Sequence, residues 1–318
     1  MPILPKQRRN LILVSQPSYL STADLFLISD KIRILAPDVK TIIVGNDDRS
    51  ELIAPDFWKH PCLTVSFGTL KKFHPLRGPV FLNQQIPKLE QSVSLTNANV
   101  RTPKTEAFKF EMKFDEREWS KFVILKPASL DQTSSGKNLC IYRTEKINLL
   151  TEASLPSNHP LRGCAMIAQQ FIDSGPRFKV YRCLTLFGQC LYQNLTESVT
   201  EHMPLDSPDA VLESIHPEPE RNLAEPRINV EPDVIEFAKK VATVFPTIPL
   251  LGCDIVREFE TGNLFAIEVN AGGNVWHFSS PRNAHWRSVD KVMQYVKTFG
   301  SFDRAAESLV RTVRRYAT

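Results

Sequence analysis

Apolar and polar residues alternate in blocks whose period changes along the chain. Residues 10–15, NLILVS, form a short apolar run, and Asp24–Leu35 carries apolar residues at helical spacing. VKTIIVGND (39–47) is a second buried-strand pattern and ends in turn chemistry, while CLTVSF (62–67) and GPVFLN (78–83) read as further strands. Strands alternating with helical stretches predict a small open α/β unit over residues 1–85.

IPKLEQSVSLTNANV (86–100) is an amphipathic stretch with Pro87 placed to start a helix, and Arg101-Thr102-Pro103 ends it. A second unit follows, with boundaries expected at 86–195. KFVILKPAS (121–129) predicts a strand that leads into the polar loop LDQTSSGKNL and then a second strand, LCIYR. AMIAQQFI (165–172) is another apolar run, and FKVYRCLTLFGQCLYQN (178–194) predicts a hairpin turning at Gly188. A third unit, 196–318, opens with an acidic segment. Residues 204–232 contain six prolines, which predicts an irregular loop. DVIEFAKKVATVF (233–245) is an amphipathic helix pattern, and two further helices are expected at about 285–298 and 302–316.

Composition narrows the class without naming it. Hydrophobic content of 42% and charged content of 23% are ordinary for a soluble globular protein. A net charge of +4 is too mild to argue for nucleic acid, although the final RTVRR is basic. No apolar run reaches the length of a membrane span, and the run near the start is too short for a signal-peptide core. The six cysteines show no CxxC spacing and read as reduced thiols, so a cytoplasmic protein is the expectation. A homodimer is the default from general prevalence.

The chemistry concentrates in LGCDIVREFETGNLFAIEVNAGGN (251–274). Two apolar-rich runs flank Thr261-Gly262-Asn263, a hairpin pattern that sets Asp254 opposite Glu268. Asn270, two residues on from Glu268, projects from the same face. Directly opposed like charges destabilise a sheet and need compensation, which a hard divalent cation such as Mg²⁺ or Mn²⁺ supplies. The hairpin alone fits a solvated polar face equally well.

The order of the parts resembles the ATP-grasp superfamily, most closely the branch of glutathione synthetase and the ribosomal-protein glutamate ligases (RimK-like). The resemblance spans nearly the whole chain. It implies an α/β fold of the α+β ATP-grasp kind, an N-terminal open α/β domain followed by two α+β subdomains that clasp ATP. In NQQIPKLEQSVSLTNANVRTPKT, Asn83, Lys88 and Pro103 match the family spacing, which implies that Lys88 touches an ATP phosphate; a solvated lysine at a helix start is the plain alternative. In FVILKPAS, Lys126 stands where the family meets the α-phosphate and the adenine edge. The following loop would cover the β- and γ-phosphates through Ser135 and Gly136, with Ser134 beside them, although the family often has more than one glycine there.

By the same resemblance the backbone of Gln169, Gln170, Phe171 and Ile172 would bond adenine, with Asp173 near the ribose; plain core is the alternative for this strand. Arg182 would point into the site and stabilise the transferred phosphate, against a structural salt bridge. Asp254, Glu268 and Asn270 match the metal-binding signature. Arg221 and Asn222 are weaker counterparts of a basic substrate-holding segment. Trp276, His277 and Arg282 face either the acceptor or, for Trp276 and Phe278, the C-terminal helices. The function implied is an ATP- and Mg²⁺-dependent carboxylate–amine ligase working through an acyl-phosphate. A phosphotransferase and a non-catalytic nucleotide-binding protein are the rivals. The carboxylate and amine substrates are not named by the sequence.

Overall fold

The computed structural model describes residues 7–129, 138–207, 226–271, 275–281 and 289–318. Ser135, Gly136, Arg221, Asn222 and Arg282, assigned above, lie outside the described residues.

The first sheet is parallel, in the order β2-β1-β3-β4, from β1 (Arg9–Ser15), β2 (Val39–Gly45), β3 (Cys62–Ser66) and β4 (Val80–Leu82). All five residues of β3 are buried, as expected of a parallel strand covered on both faces. Helix α1 (Thr22–Leu35) starts at Ser21, whose hydroxyl accepts from the amide of Ala23, and buries Leu25, Ile28 and Ile32 at helical spacing.

The second sheet is antiparallel, in the order β5-β8-β6-β7, from β5 (Thr105–Ala107), β6 (Phe122–Pro127), β7 (Cys140–Arg143) and β8 (Met166–Gln170). Helix α2 (Lys88–Asn97) connects the first sheet to it. The third sheet runs β11-β10-β9-β12-β13, from β9 (Lys179–Leu186), β10 (Gln189–Glu197), β11 (Arg227–Ile228), β12 (Leu250–Arg257) and β13 (Leu264–Asn270). The β9–β10 hairpin, expected with the second unit, pairs instead with β12, because Leu250 to Ile255 align along Leu186 to Tyr181. Its two-residue turn needs positive φ at both positions, 46° at Phe187 and 77° at Gly188.

Helix α3 (Pro232–Thr243) buries Val234, Ala238, Val241 and Ala242 against one face of the third sheet. Helices α4 (Val289–Phe299) and α5 (Ser301–Tyr316) are joined at Gly300, whose φ of 59° breaks the helical path. Helix α5 packs on α1, β1, β3 and β10 and so ties the first sheet to the third. In the acidic segment, expected to be irregular, β11 is a short strand on the edge of β10, and residues 208–225 lie outside the described residues. Just before them, Arg143 donates to the carbonyls of Leu205 and Ser207, and Lys121 pairs with Asp206, holding this stretch to the second sheet. Among the described residues no helix is long and apolar enough to cross a membrane.

Candidate functional site

Two β-bulges set the registers that build the site. Between β12 and β13 the pairing moves from Ile255↔Ala266 to Asp254↔Glu268, leaving Ile267 as the extra residue. Between β9 and β10 it moves from Cys190↔Thr185 to Tyr192↔Leu184, with Leu191 extra. The result is one row of facing residues across four strands: Asn194, Arg182, Asp254 and Glu268. Directly paired residues share a face, so all four side chains leave the sheet on the side opposite α3. Asn270, two residues beyond Glu268, shares that face.

Arg182 binds Asp254 through both ends of its guanidinium, Nε to Oδ1 and Nη2 to Oδ2, each at 2.6 Å. Burial opposes the Arg182 charge, but the pull and hydrogen bonds of Asp254 more than reverse this and hold its pKa above the ordinary value. Asn270 Nδ2 donates to Asp254 Oδ2 at 2.9 Å. Lys88 Nζ lies 3.5 Å from Glu268 Oε1. Lys88 is the first residue of α2 and is buried, although the positive end of a helix disfavours a cation there. Of the two alternatives for Arg182, the salt bridge is present, made to Asp254.

Lys126, at the end of β6, is 9% exposed. Burial lowers its pKa, the charges of Glu268 and Asp254 pull it up, and that of Lys88 pushes it down further. Among the described residues it forms no ion pair within 4 Å, so a desolvated ammonium faces the carboxylates without a direct partner.

The β8 residues separate by strand alternation. Gln169 shares the Lys126 face, and its Nε2 reaches Thr105 Oγ1 at 3.1 Å and the carbonyl of the bulged Ile267 at 3.5 Å, joining the two sheets. Gln170 turns to the other face, where its Nε2 donates to Ser120 Oγ at 3.1 Å. Phe171 forms an apolar wall with Phe122, at 6.0 Å between ring centroids, and with Ile141. Ile172 is buried, and Asp173 spends Oδ1 on the amide of Gly175 at 2.8 Å, closing its own turn.

Asn83 is a bracket. Its Nδ2 donates to the carbonyls of Leu250 and Ala271, at 2.7 and 2.8 Å, fixing the far ends of β12 and β13 together. Gln91 adds a second, its Oε1 accepting from the amide of Val269 at 2.8 Å. Trp276 is fully buried, stacks on Phe67 at 5.8 Å and donates to Asp24 Oδ2 at 2.7 Å, so it anchors the core with Phe278. His277 between them stacks on Tyr192 at 5.5 Å and is close enough for the Arg182 charge to act on it. Burial, with that charge, lowers the imidazole pKa to about 3, so it is neutral. Tyr192, Asn194 and Gln91 carry no sequence motif. Only the alternation of β10, counted through its bulge, brings the first two to the site.

The donor set fits a magnesium triphosphate. Asp254 accepts three hydrogen bonds, and a carboxylate offers about four lone-pair sites, so one direction from Oδ1 stays open to a cation. Asn270 gives its N–H to Asp254, leaving its carbonyl oxygen for the same ion. Among the described residues no group of three or more His, Cys, Asp or Glu side chains is gathered to hold a metal; the candidate ligands are two carboxylates and an amide. The unpaired Lys126 ammonium matches an anion.

The sequence matches no protein-family profile and no curated protein. Its fold does have relatives. It is similar to the ATP-grasp ligase PsnB, solved with a minimal precursor, at a TM-score of 0.50 and 12% identity, over 96% of this chain and 99% of that one. It is equally similar to the macrocyclase MdnC of Microcystis aeruginosa, solved with the precursor peptide MdnA, at a TM-score of 0.50 and 13% identity, over 95% and 99% of the two chains. The chain has the fold of the ATP-grasp ligases.

Proposed function

We propose that the protein is an ATP- and Mg²⁺-dependent carboxylate–amine ligase. The observation that carries this reading is the convergence of Lys88 and Lys126, from α2 and the second sheet, on Arg182, Asp254 and Glu268 of the third. Three cations against two carboxylates leave a positive surplus that a triphosphate neutralises.

ATP supplies the phosphoryl group and Mg²⁺ neutralises charge as it moves. In the reading proposed, a substrate carboxylate oxygen attacks the γ-phosphorus and ADP leaves. The amine nitrogen then attacks the acyl carbon, phosphate departs and a proton is released. Lys88 and Lys126 hold phosphate oxygens. Asp254, Glu268 and the Asn270 carbonyl hold the cation. Arg182, locked in place by Asp254, presents its remaining N–H groups to the transferring phosphoryl and to the oxyanion of the tetrahedral species. Phe122, Phe171 and Ile141 give adenine an apolar wall, with the backbone of Gln170–Ile172 beside it. Asp173 contributes less, its Oδ1 being engaged in its own turn.

Within the superfamily we place the chain nearest the glutathione synthetase and RimK-like branch, on the Asp254…Glu268-Val269-Asn270 and Lys88…Pro103 spacings. We draw the boundary between its second and third units near residue 173 rather than 195, since β9 and β10 pair with β12. PsnB was solved with a minimal precursor and MdnC with a precursor peptide, which makes peptides the first substrates to test.

The test is calorimetry of ATP with and without Mg²⁺, for the wild type and Glu268→Ala, followed by ADP release with panels of carboxylates and amines. Metal-dependent binding weakened by the substitution, with an amide product, is expected. Nucleotide binding that ignores both Mg²⁺ and the substitution would sink the reading.

A further inference from the structure

Helix α1 is apolar on two opposite sides. At about 100° of turn per residue, Leu25, Ile28 and Ile32 form one stripe, buried against the first sheet and α5. Phe26, Leu27 and Ile34 fall on the opposite side and stay 59%, 49% and 78% exposed. Large apolar side chains scattered singly over a surface need no partner, but three grouped on one helix face mark an interaction site. A helix apolar on both sides is normally buried on both. The outer face of α1 is therefore one half of an interface.

The charges on that face say what forms the other half. Asp30 lies one helical turn from Phe26 and Leu27 on one side and from Ile34 on the other, and it pairs with Arg33 at 3.1 Å. Lys31 is turned aside to Asp303 of α5, at 2.5 Å. Along the helix the outer face thus reads apolar, acid–base pair, apolar, with no net charge. We infer that a second copy of this chain covers it, the two α1 helices lying antiparallel about a two-fold axis beside residues 30 and 31. Leu27 then meets the partner's Ile34, and the contact occurs twice, once on each side of the axis. Each Asp30 comes within reach of the partner's Arg33, so four alternating charges close the centre and fix the register, as a polar position does in a coiled coil. An apolar groove on an unlike protein, or a lipid surface, would instead bury the Asp30–Arg33 pair with nothing to compensate it. One helix about 20 Å long makes a small interface, so the dimer belongs in the micromolar range.

None of these residues belongs to the site of Arg182, Asp254 and Glu268, so the readout is mass rather than turnover. Sedimentation equilibrium of the full chain over about 1–200 μM is expected to show a monomer–dimer equilibrium. Leu27→Glu and Ile34→Glu should each weaken it about tenfold or more. Both positions are exposed in the single chain, so circular dichroism should show its helix content unchanged. Asp30→Arg and Arg33→Asp each set like charges across the axis, and each variant alone is expected to be monomeric. Mixed one to one, the two variants carry opposite charges and are expected to pair as a heterodimer. A wild type that stays monomeric at about 200 μM overturns the proposal. So does a dimer that all four substitutions leave intact, because it then forms through another surface. Charge variants that are monomeric apart and stay monomeric when mixed overturn the antiparallel pairing.

Discussion

Arg182 and Asp254 face each other on adjacent strands and are joined by two parallel hydrogen bonds of 2.6 Å. The geometry gives the guanidinium one orientation, with its unused N–H groups directed along the sheet face. Removing it leaves Asp254, 7% exposed at its side chain, with the Asn270 amide as its one hydrogen-bond partner among the described residues. Arg182→Ala should therefore cost about 1–3 kcal/mol of stability, below the figure for a fully buried pair because the Arg182 side chain is 32% exposed. Arg182→Lys keeps the charge but not the two-pronged contact. We expect it to restore most of the stability while ADP formation stays about 10²-fold down or worse. Urea titration and turnover on the two variants check this. If Arg182→Lys recovers both together, the arginine is a salt bridge and nothing more.

Lys126 should show opposite signs in stability and binding. Its ammonium is desolvated and has no ion pair within 4 Å among the described residues, so it burdens the nucleotide-free protein. Lys126→Met fills the same space without charge. The unliganded variant is expected to melt no lower than the wild type, and up to a few degrees higher, while the thermal shift caused by Mg-ATP disappears. A variant that melts lower and still responds to nucleotide would assign Lys126 to structure alone.

Gly252 is bare because the chain passes over it. A Cβ there would come within 2.7 Å of Val275 Cγ1 and 3.1 Å of its Cβ. Val275 begins the stretch that seats Trp276 in the core and His277 against Tyr192. Gly252→Ala should lower the Tm by roughly 2–6 °C, from an overpacking cost of about 1–3 kcal/mol. Val275→Ala makes room, so the double variant should melt higher than the sum of the two single effects allows. Strict additivity in that cycle would show that the contact is not the cause.

Much of this was legible in the sequence, for physical reasons that differ by region. The first sheet could be read because buried parallel strands are continuous apolar runs, as in NLILVS and CLTVSF. The Asp254–Glu268 opposition follows from a turn centred on Thr261, whereas the structure reaches the same pair through the extra residue Ile267. What could not be read is what a bulge does. The two-residue turn at Phe187-Gly188, counted back without Leu191, sets Gln193 across from Arg182; the observed partner is Asn194. Likewise the last pair of the β12–β13 hairpin, Arg257↔Leu264, would by itself put Ile267 opposite Asp254. Apolar periodicity has no term for one extra residue. Nor could it show that β9–β10 joins the third sheet, since pairing partners far apart in sequence leave no local pattern. His277 and Trp276 are neighbours with opposite roles, and only packing separates them.

His277 makes the last prediction, a pH dependence. In the folded protein burial, with the Arg182 charge, holds its pKa at about 3, against an ordinary 6.5. Between those values the unfolded chain carries a proton on this ring that the folded one does not, so stability rises with pH across the window and falls on acidification. The full shift corresponds to at most a few kcal/mol, lost progressively from about pH 6.5 down to pH 3. His277→Phe keeps a ring against Tyr192 and removes the titration. The expected result is a flatter dependence of Tm on pH between 6.5 and 4 in the variant than in the wild type. All other groups are common to the two proteins, so the difference between the two curves isolates the imidazole. Parallel curves would mean that His277 gains its proton in the folded state as readily as in the unfolded one.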